Sequence, residues 1–210
     1  MLYQFILYSR SRVKDYRWML LPSNIRKTTL AHLNSLYNIY DDQKRRSFYQ
    51  NANIAPVFCV DFGKNNLLFQ MGLTGHQDNY SRPIFGLFGI SIQNSEREAL
   101  RDNLTDLLKN HEKTLNPFQK INFQDSDALS GMRSQFRTFQ PIRKKPKYLN
   151  ASASKRIMDD KQLILDYSDN GFDQLIEVFQ NPRNPLVNFA FGATEQMLRV
   201  LPPVKILAKA

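Results

Sequence analysis

Apolar positions along this chain change period several times, and each change predicts an element. Residues 2–9 and 16–21 are rich in Tyr, Phe, Ile, Leu and Trp and flank the polar stretch Ser9-Arg-Ser-Arg-Val-Lys-Asp15. That pattern predicts two strands, or one strand and an extended arm, closed by Pro22. Ser23 is placed to cap a helix running to about residue 50, on which Thr29, Leu33, Leu36, Tyr37 and Tyr40 recur at three- and four-residue spacing. The period then shortens. Pro56–Phe62, Asn66–Met71 and Pro83–Ile92 are β-type runs separated by Gly63-Lys64-Asn65 and by a longer turn from Gly72 to Arg82. Such connections are too short for a crossover helix, so an antiparallel meander is expected. Gly86 and Gly89 inside the third run predict a bulge or a close backbone approach. Its apolar residues face both ways, which suits a buried central strand at least as well as an exposed edge.

Ser95-Glu-Arg-Glu98 has capping-box spacing, and Leu100, Leu104, Leu107, Leu108 and Leu115 form one stripe, predicting a helix over 95–114 that Asn116-Pro117 stops. From 116 to 158 periodicity fades and the chain reads as loop or linker. Beyond it, 162–167 predicts a strand, 172–180 a helix, 186–191 a strand and 194–201 a capped helix ended by Pro202-Pro203. The tail 202–210, extended and apolar-basic, is a candidate for addition to a neighbour's sheet. The expected class is α+β: an antiparallel or mixed sheet with two amphipathic helices and a small β-α-β-α C-terminal lobe. The expected division is a main domain over 1–120, a basic connector over 121–158 and the lobe over 159–210, which either stands apart or completes the first domain's sheet.

Charge changes this picture most. Of the formal net charge of +10, residues 128–158 supply +8, with eight Lys or Arg and no Asp or Glu. The cations are Arg133, Arg137, Arg143, Lys144, Lys145, Lys147, Lys155 and Arg156, interleaved with Phe136, Phe139 and Tyr148. Each cation placed on a phosphate releases a condensed counterion, so a polyanion is the natural partner, with Phe136 and Tyr148 available to stack on unpaired bases. Segments of this kind also dock acidic protein surfaces. Arg10, Arg12, Lys14 and Arg17 form a second cluster and Lys44-Arg45-Arg46 a third. Convergence of the clusters on one face would mark an interface.

Other chemistry is sparse. The single cysteine, Cys59, excludes an intramolecular disulfide and a Cys-rich zinc site, fits a reducing compartment and falls on a strand core. The apolar start lacks a basic leader and cleavage site, and no run is long enough to span a membrane, so a cytoplasmic protein without membrane contact is expected. In the turn 72–82, His76 is a candidate general base, Arg82 an anion clamp and Asp78 an orienting group, although polar residues populate hairpin turns by default. Gly72-x-x-Gly75 lacks the Gly-Lys-Ser/Thr of a phosphate loop. His32 and His111 fall on helices as surface or satisfied core positions. The carboxylate pairs Asp41-Asp42, Asp125-x-Asp127 and Asp159-Asp160 suit capping better than Mg²⁺, and no metal or cofactor is expected. Trp18 reads as a core anchor before a stacking platform.

Together these readings predict a non-enzymatic basic subunit or adaptor of a larger assembly, contacting nucleic-acid backbone through residues 133–156 alongside other protein subunits. An adaptor for an acidic partner and a small metal-independent hydrolase or nuclease at His76–Arg82 are the alternatives.

Overall fold

The computed structural model describes residues 4–10, 16–41, 56–63, 65–77, 79–93, 162–181 and 183–209. Eight strands form one mixed sheet: β1 Gln4–Ser9, β2 Arg17–Leu20, β3 Val57–Asp61, β4 Asn65–Gln77, β5 Pro83–Gln93, β6 Leu163–Leu165, β7 Phe189–Ala193 and β8 Ile206–Lys209, in the order β2-β1-β5-β4-β3-β7-β8-β6. Helices α1 Lys27–Asp41, α2 Asp169–Gln180 and α3 Glu195–Val200 complete the described elements. The class is α+β, as the periodicity predicts.

From β2 to β7 every neighbouring pair is antiparallel, whereas β7, β8 and β6 run parallel. Parallel neighbours need crossovers, and α2 and α3 provide them. The step from β6 to β7 and the step from β7 to β8 go in opposite directions along the sheet. Right-handed crossovers therefore require the two helices to lie on opposite faces. They do: Phe172, Leu175, Ile176 and Phe179 of α2 join one apolar layer with Phe189, Phe191 and Ile206, while Met197 of α3 joins the other with Phe58, Phe69 and Leu207. Leu33, Leu36 and Tyr37 of α1 pack into that second layer, so the spacing read from sequence is the buried stripe.

Local chemistry sets the boundaries. The α2 helix starts at Asp169 because the Ser168 hydroxyl accepts from Gly171 N–H at 3.1 Å, and α3 starts where Thr194 accepts from Met197 N–H at 3.4 Å. Ser23 caps nothing; Ile25 N–H donates to the Pro22 carbonyl in a turn and α1 begins four residues after Ser23, so the predicted start is corrected. The long turn from Gly72 is corrected too, since β4 and β5 stay paired to Leu73–Phe85 and, past an irregularity, to Gln77–Pro83. At Gly89 the close approach is real. A Cβ there would sit on the Leu68 carbonyl oxygen and 2.6 Å from Phe69 Cα. Gly192 adopts φ +74° at a break in register between β7 and β8, and the Tyr167 ring lies over it, 2.6 Å from where a Cβ would stand.

The run 84–92 is interior, with β1 and β4 on either side. Likewise the tail does not reach out to a neighbour's sheet: β8 is inserted between β7 and β6 of its own sheet, with Leu207 and Ala208 2% and 1% exposed. An alternating apolar segment after a helix is drawn into the nearest incomplete sheet, because two rows of backbone hydrogen bonds and two apolar layers are satisfied there at once. The predicted helix over 95–114 and the basic connector lie outside the described residues.

Candidate polyanion-binding end of the sheet

Strand directions decide which loops meet. In β1, Ser9 pairs with Arg17 of β2 and with Gly86 of β5, so Arg10, Arg17 and the described residues of the β4–β5 turn share one end of the sheet. The α1 helix runs toward that end. His32 near its start donates from Nδ1 to the Val200 carbonyl at 2.6 Å and packs on Phe62, at the far end of β3. Tyr37, a turn further, meets Tyr8 and Tyr16, at ring separations of 4.4 and 5.1 Å. Pro56, which precedes β3, is at the same end, because its carbonyl accepts from Met71 N–H. Lys44-Arg45-Arg46 lie outside the described residues.

An aromatic cluster organises the end. Tyr8 stacks on Tyr16 at 6.1 Å and an interplanar angle of 12°, and Trp18 lies 5.0 Å from Tyr8. Trp18 Nε1 donates to Asn34 Oδ1 at 2.9 Å, which joins β2 to α1 and makes this indole an anchor. The Tyr16 hydroxyl accepts from Phe85 N–H at 3.4 Å, tying the start of β2 to the start of β5. Over the Tyr16 ring lies the Arg10 guanidinium, 5.6 Å from the centroid. At the turn, Arg82 lies 5.2 Å from the centroid of Tyr80, which is 79% exposed. Two cation–aromatic pairs therefore stand at one end of the sheet, each held to within the reach over which a ring quadrupole attracts a cation.

The same end is electrically divided. Exposed Asp166 and Asp169 lie beside β6. Six strand spacings separate β6 from β1, roughly 29 Å, well beyond a Debye length at physiological salt. An anion at the β1–β5 side is therefore screened from those carboxylates. Glu195, beside β7 and β8, is engaged by Lys209 Nζ at 3.3 Å. The Tyr167 phenol, on the β6 side, is pushed up to about 12 by burial and so stays neutral.

Sequence candidates fare unevenly. Arg10, Arg17 and Arg82 stand at one end of the sheet, with Arg10 and Arg17 on opposite faces by strand alternation. Arg12 and Lys14 lie outside the described residues, as do Arg133, Phe136, Arg137, Phe139, Arg143, Lys144, Lys145, Lys147, Tyr148, Lys155, Arg156 and His111. His76 falls on β4, but its side chain, like the whole of Asp78, is outside what is described, and Arg82 packs on Tyr80. Asp61 accepts from Gly63 N–H at 2.6 Å in the β3–β4 turn, a structural use of its carboxylate. Cys59, the single cysteine, is buried in the strand core as a thiol. Among the described residues no three His, Cys, Asp or Glu side chains approach closely enough to hold a metal ion, and no helix is long and apolar enough to cross a membrane. Sequence reading overlooked Tyr16 and Tyr80; Tyr80 stands two residues from its partner Arg82, whereas Tyr16 takes Arg10 across the β1–β2 connection. Compared with protein-family models, with curated proteins and with solved structures, the chain finds no match.

Proposed function

We propose that this chain is a non-enzymatic, basic subunit of a larger assembly that contacts nucleic-acid phosphate backbone. The observation that carries the reading is that Arg82, far along the chain from Arg10 and Arg17, stands at the same end of the sheet as those two. Asp166 and Asp169 lie on the β6 side, away from these arginines. The basic segment 128–158 adds +8 of charge to the same chain. Arginine suits the role because its planar fork bonds phosphate oxygens in pairs and stays charged at any working pH.

Binding of a labelled oligonucleotide to the full chain, followed over a salt series, tests this. Each phosphate contact contributes about −0.7 to −0.9 to the slope of log K against log salt. Arg10→Gln, Arg17→Gln and Arg82→Gln combined should lower the slope by about 2 to 3. Changing Arg143, Lys144, Lys145 and Lys147 to Ala should lower it further. Affinity that both variants leave untouched, or an acidic protein that stays bound after nuclease treatment where no nucleic acid binds, would overturn the reading.

A further inference from the structure

We infer that the nucleic acid held at this end is single-stranded, with Tyr80 stacking on an unpaired base; the inference rests on the nucleic-acid reading above. Among the described aromatic side chains, Tyr80 is the one left largely in water, at 79% exposure. Its position has a structural cause. The last pair between β1 and β5 is Ser9–Gly86, whereas β4 and β5 continue to Gln77–Pro83, so the hairpin carries residues 79–82 past the last β1–β5 pair.

A large ring held in water gains nothing from the core, but it offers a face to another π-system. Arg82 lies 5.2 Å from the ring centroid, which places a permanent cation beside whatever stacks there. The second pair, Arg10 over Tyr16, is linked to the same strand, since the Tyr16 hydroxyl accepts from Phe85 N–H. Phe85 is three residues beyond Arg82, about 10 Å along β5. That rise is within the span of one short oligonucleotide. Alternation of cation and aromatic ring is the composition of surfaces that track an unpaired strand, where rings take bases and cations take phosphates. In a duplex the base faces are already stacked on one another, and Tyr80 would have no partner there.

Fluorescence anisotropy with the full chain separates the possibilities, using three labelled probes of equal length: a 20-nucleotide single strand, the same backbone with abasic sites, and the corresponding duplex. The single strand should bind about tenfold tighter than either alternative, the size of one base–aromatic stack. Tyr80→Ala should abolish that preference and Tyr80→Phe should keep it, with far-UV circular dichroism confirming that both variants fold. Equal affinity for the three probes, tighter binding to duplex, or a preference that survives Tyr80→Ala would overturn the stacking role while leaving the phosphate-backbone reading intact. Absence of salt-sensitive binding to all three probes would overturn both.

Discussion

Replacing Gly89 with Ala adds one methyl group at the centre of the sheet. Gly89 pairs with Phe69 of β4 and Ile6 of β1, so its strand is held on both sides. The new Cβ would land on the Leu68 carbonyl oxygen and 2.6 Å from both Cα and Cβ of Phe69. No rotamer change relieves a clash with backbone. Either β4 and β5 part by an ångström or so, breaking ladder bonds, or β5 shifts against two partners. Overpacking a well-filled core costs about 1–3 kcal/mol, and backbone displacement puts this site at or above the upper figure. Against a total of roughly 5–15 kcal/mol, that is a large share. Gly86→Ala, three residues earlier on the same strand, is the internal control, because its Cβ would meet neighbours at 3.4 and 3.5 Å, close to ordinary contact. Urea unfolding followed by the fluorescence of Trp18 should show a midpoint lower by about 1.5 M for Gly89→Ala, taking ~3 kcal/mol and a slope of ~2 kcal/mol per M. Gly86→Ala should fall within about 1 kcal/mol of the parent. Equal midpoints for the two variants would refute the argument that the close approach of β4 and β5 at Gly89 demands glycine.

Further expectations follow from single contacts. Ser168→Ala removes the cap on Gly171 N–H and should cost about 1 kcal/mol in the same urea assay. Gln70→Met should be neutral or stabilising by up to ~1 kcal/mol, since Gln70 Oε1 is buried without a hydrogen-bond partner and replacing an unsatisfied acceptor removes its desolvation cost. Leu207→Asp puts a carboxylate into an apolar layer at 2% exposure and should abolish cooperative unfolding altogether, seen as a flat thermal melt. The Tyr167 phenol keeps its proton to about 12 when folded, against 10.0 when exposed. Between those values the unfolded chain binds fewer protons, so stability conferred by neutral Tyr167 is complete below pH 10 and declines as pH rises toward 12. Tyr167→Phe should flatten that decline and remove a step near 12 from a phenolate titration at 295 nm.

Much of the fold was legible because burial imposes a period. Thr29, Leu33, Leu36 and Tyr37 announced α1, and Phe172, Leu175, Ile176 and Phe179 announced α2, since in each case one stripe faces one apolar layer. The start of α1 was not legible: Ser23 is chemically able to cap, but the Pro22–Ile25 turn uses that stretch, and local propensity cannot see which of two hydrogen-bonding solutions the tertiary structure selects. The placement of β8 was hidden for a similar reason. Its side chains alternate as those of any strand, and the partner that captures it, β6, lies about 40 residues earlier. For the site, charge clusters were visible as composition, but the pairing of Arg10 with Tyr16 and of Arg82 with Tyr80 depends on ladder register. Ser9 meeting both Arg17 and Gly86 is what brings those two arginines to one place, and register is a property of three strands together.

The interior position of β8 also bears on how the protein is made. β6 pairs with β8, and β8 lies between it and β7. A nascent chain that has already built the antiparallel strands and both C-terminal helices still holds β6 and β7 apart, each with a row of unused amides, until residues 206–209 arrive. Long-range parallel pairing is slow, and open strand edges recruit other chains while they wait. Residues 206–209 therefore set the moment at which the sheet closes, and until they pair, the open edges of β6 and β7 are where this chain is most exposed to aggregation.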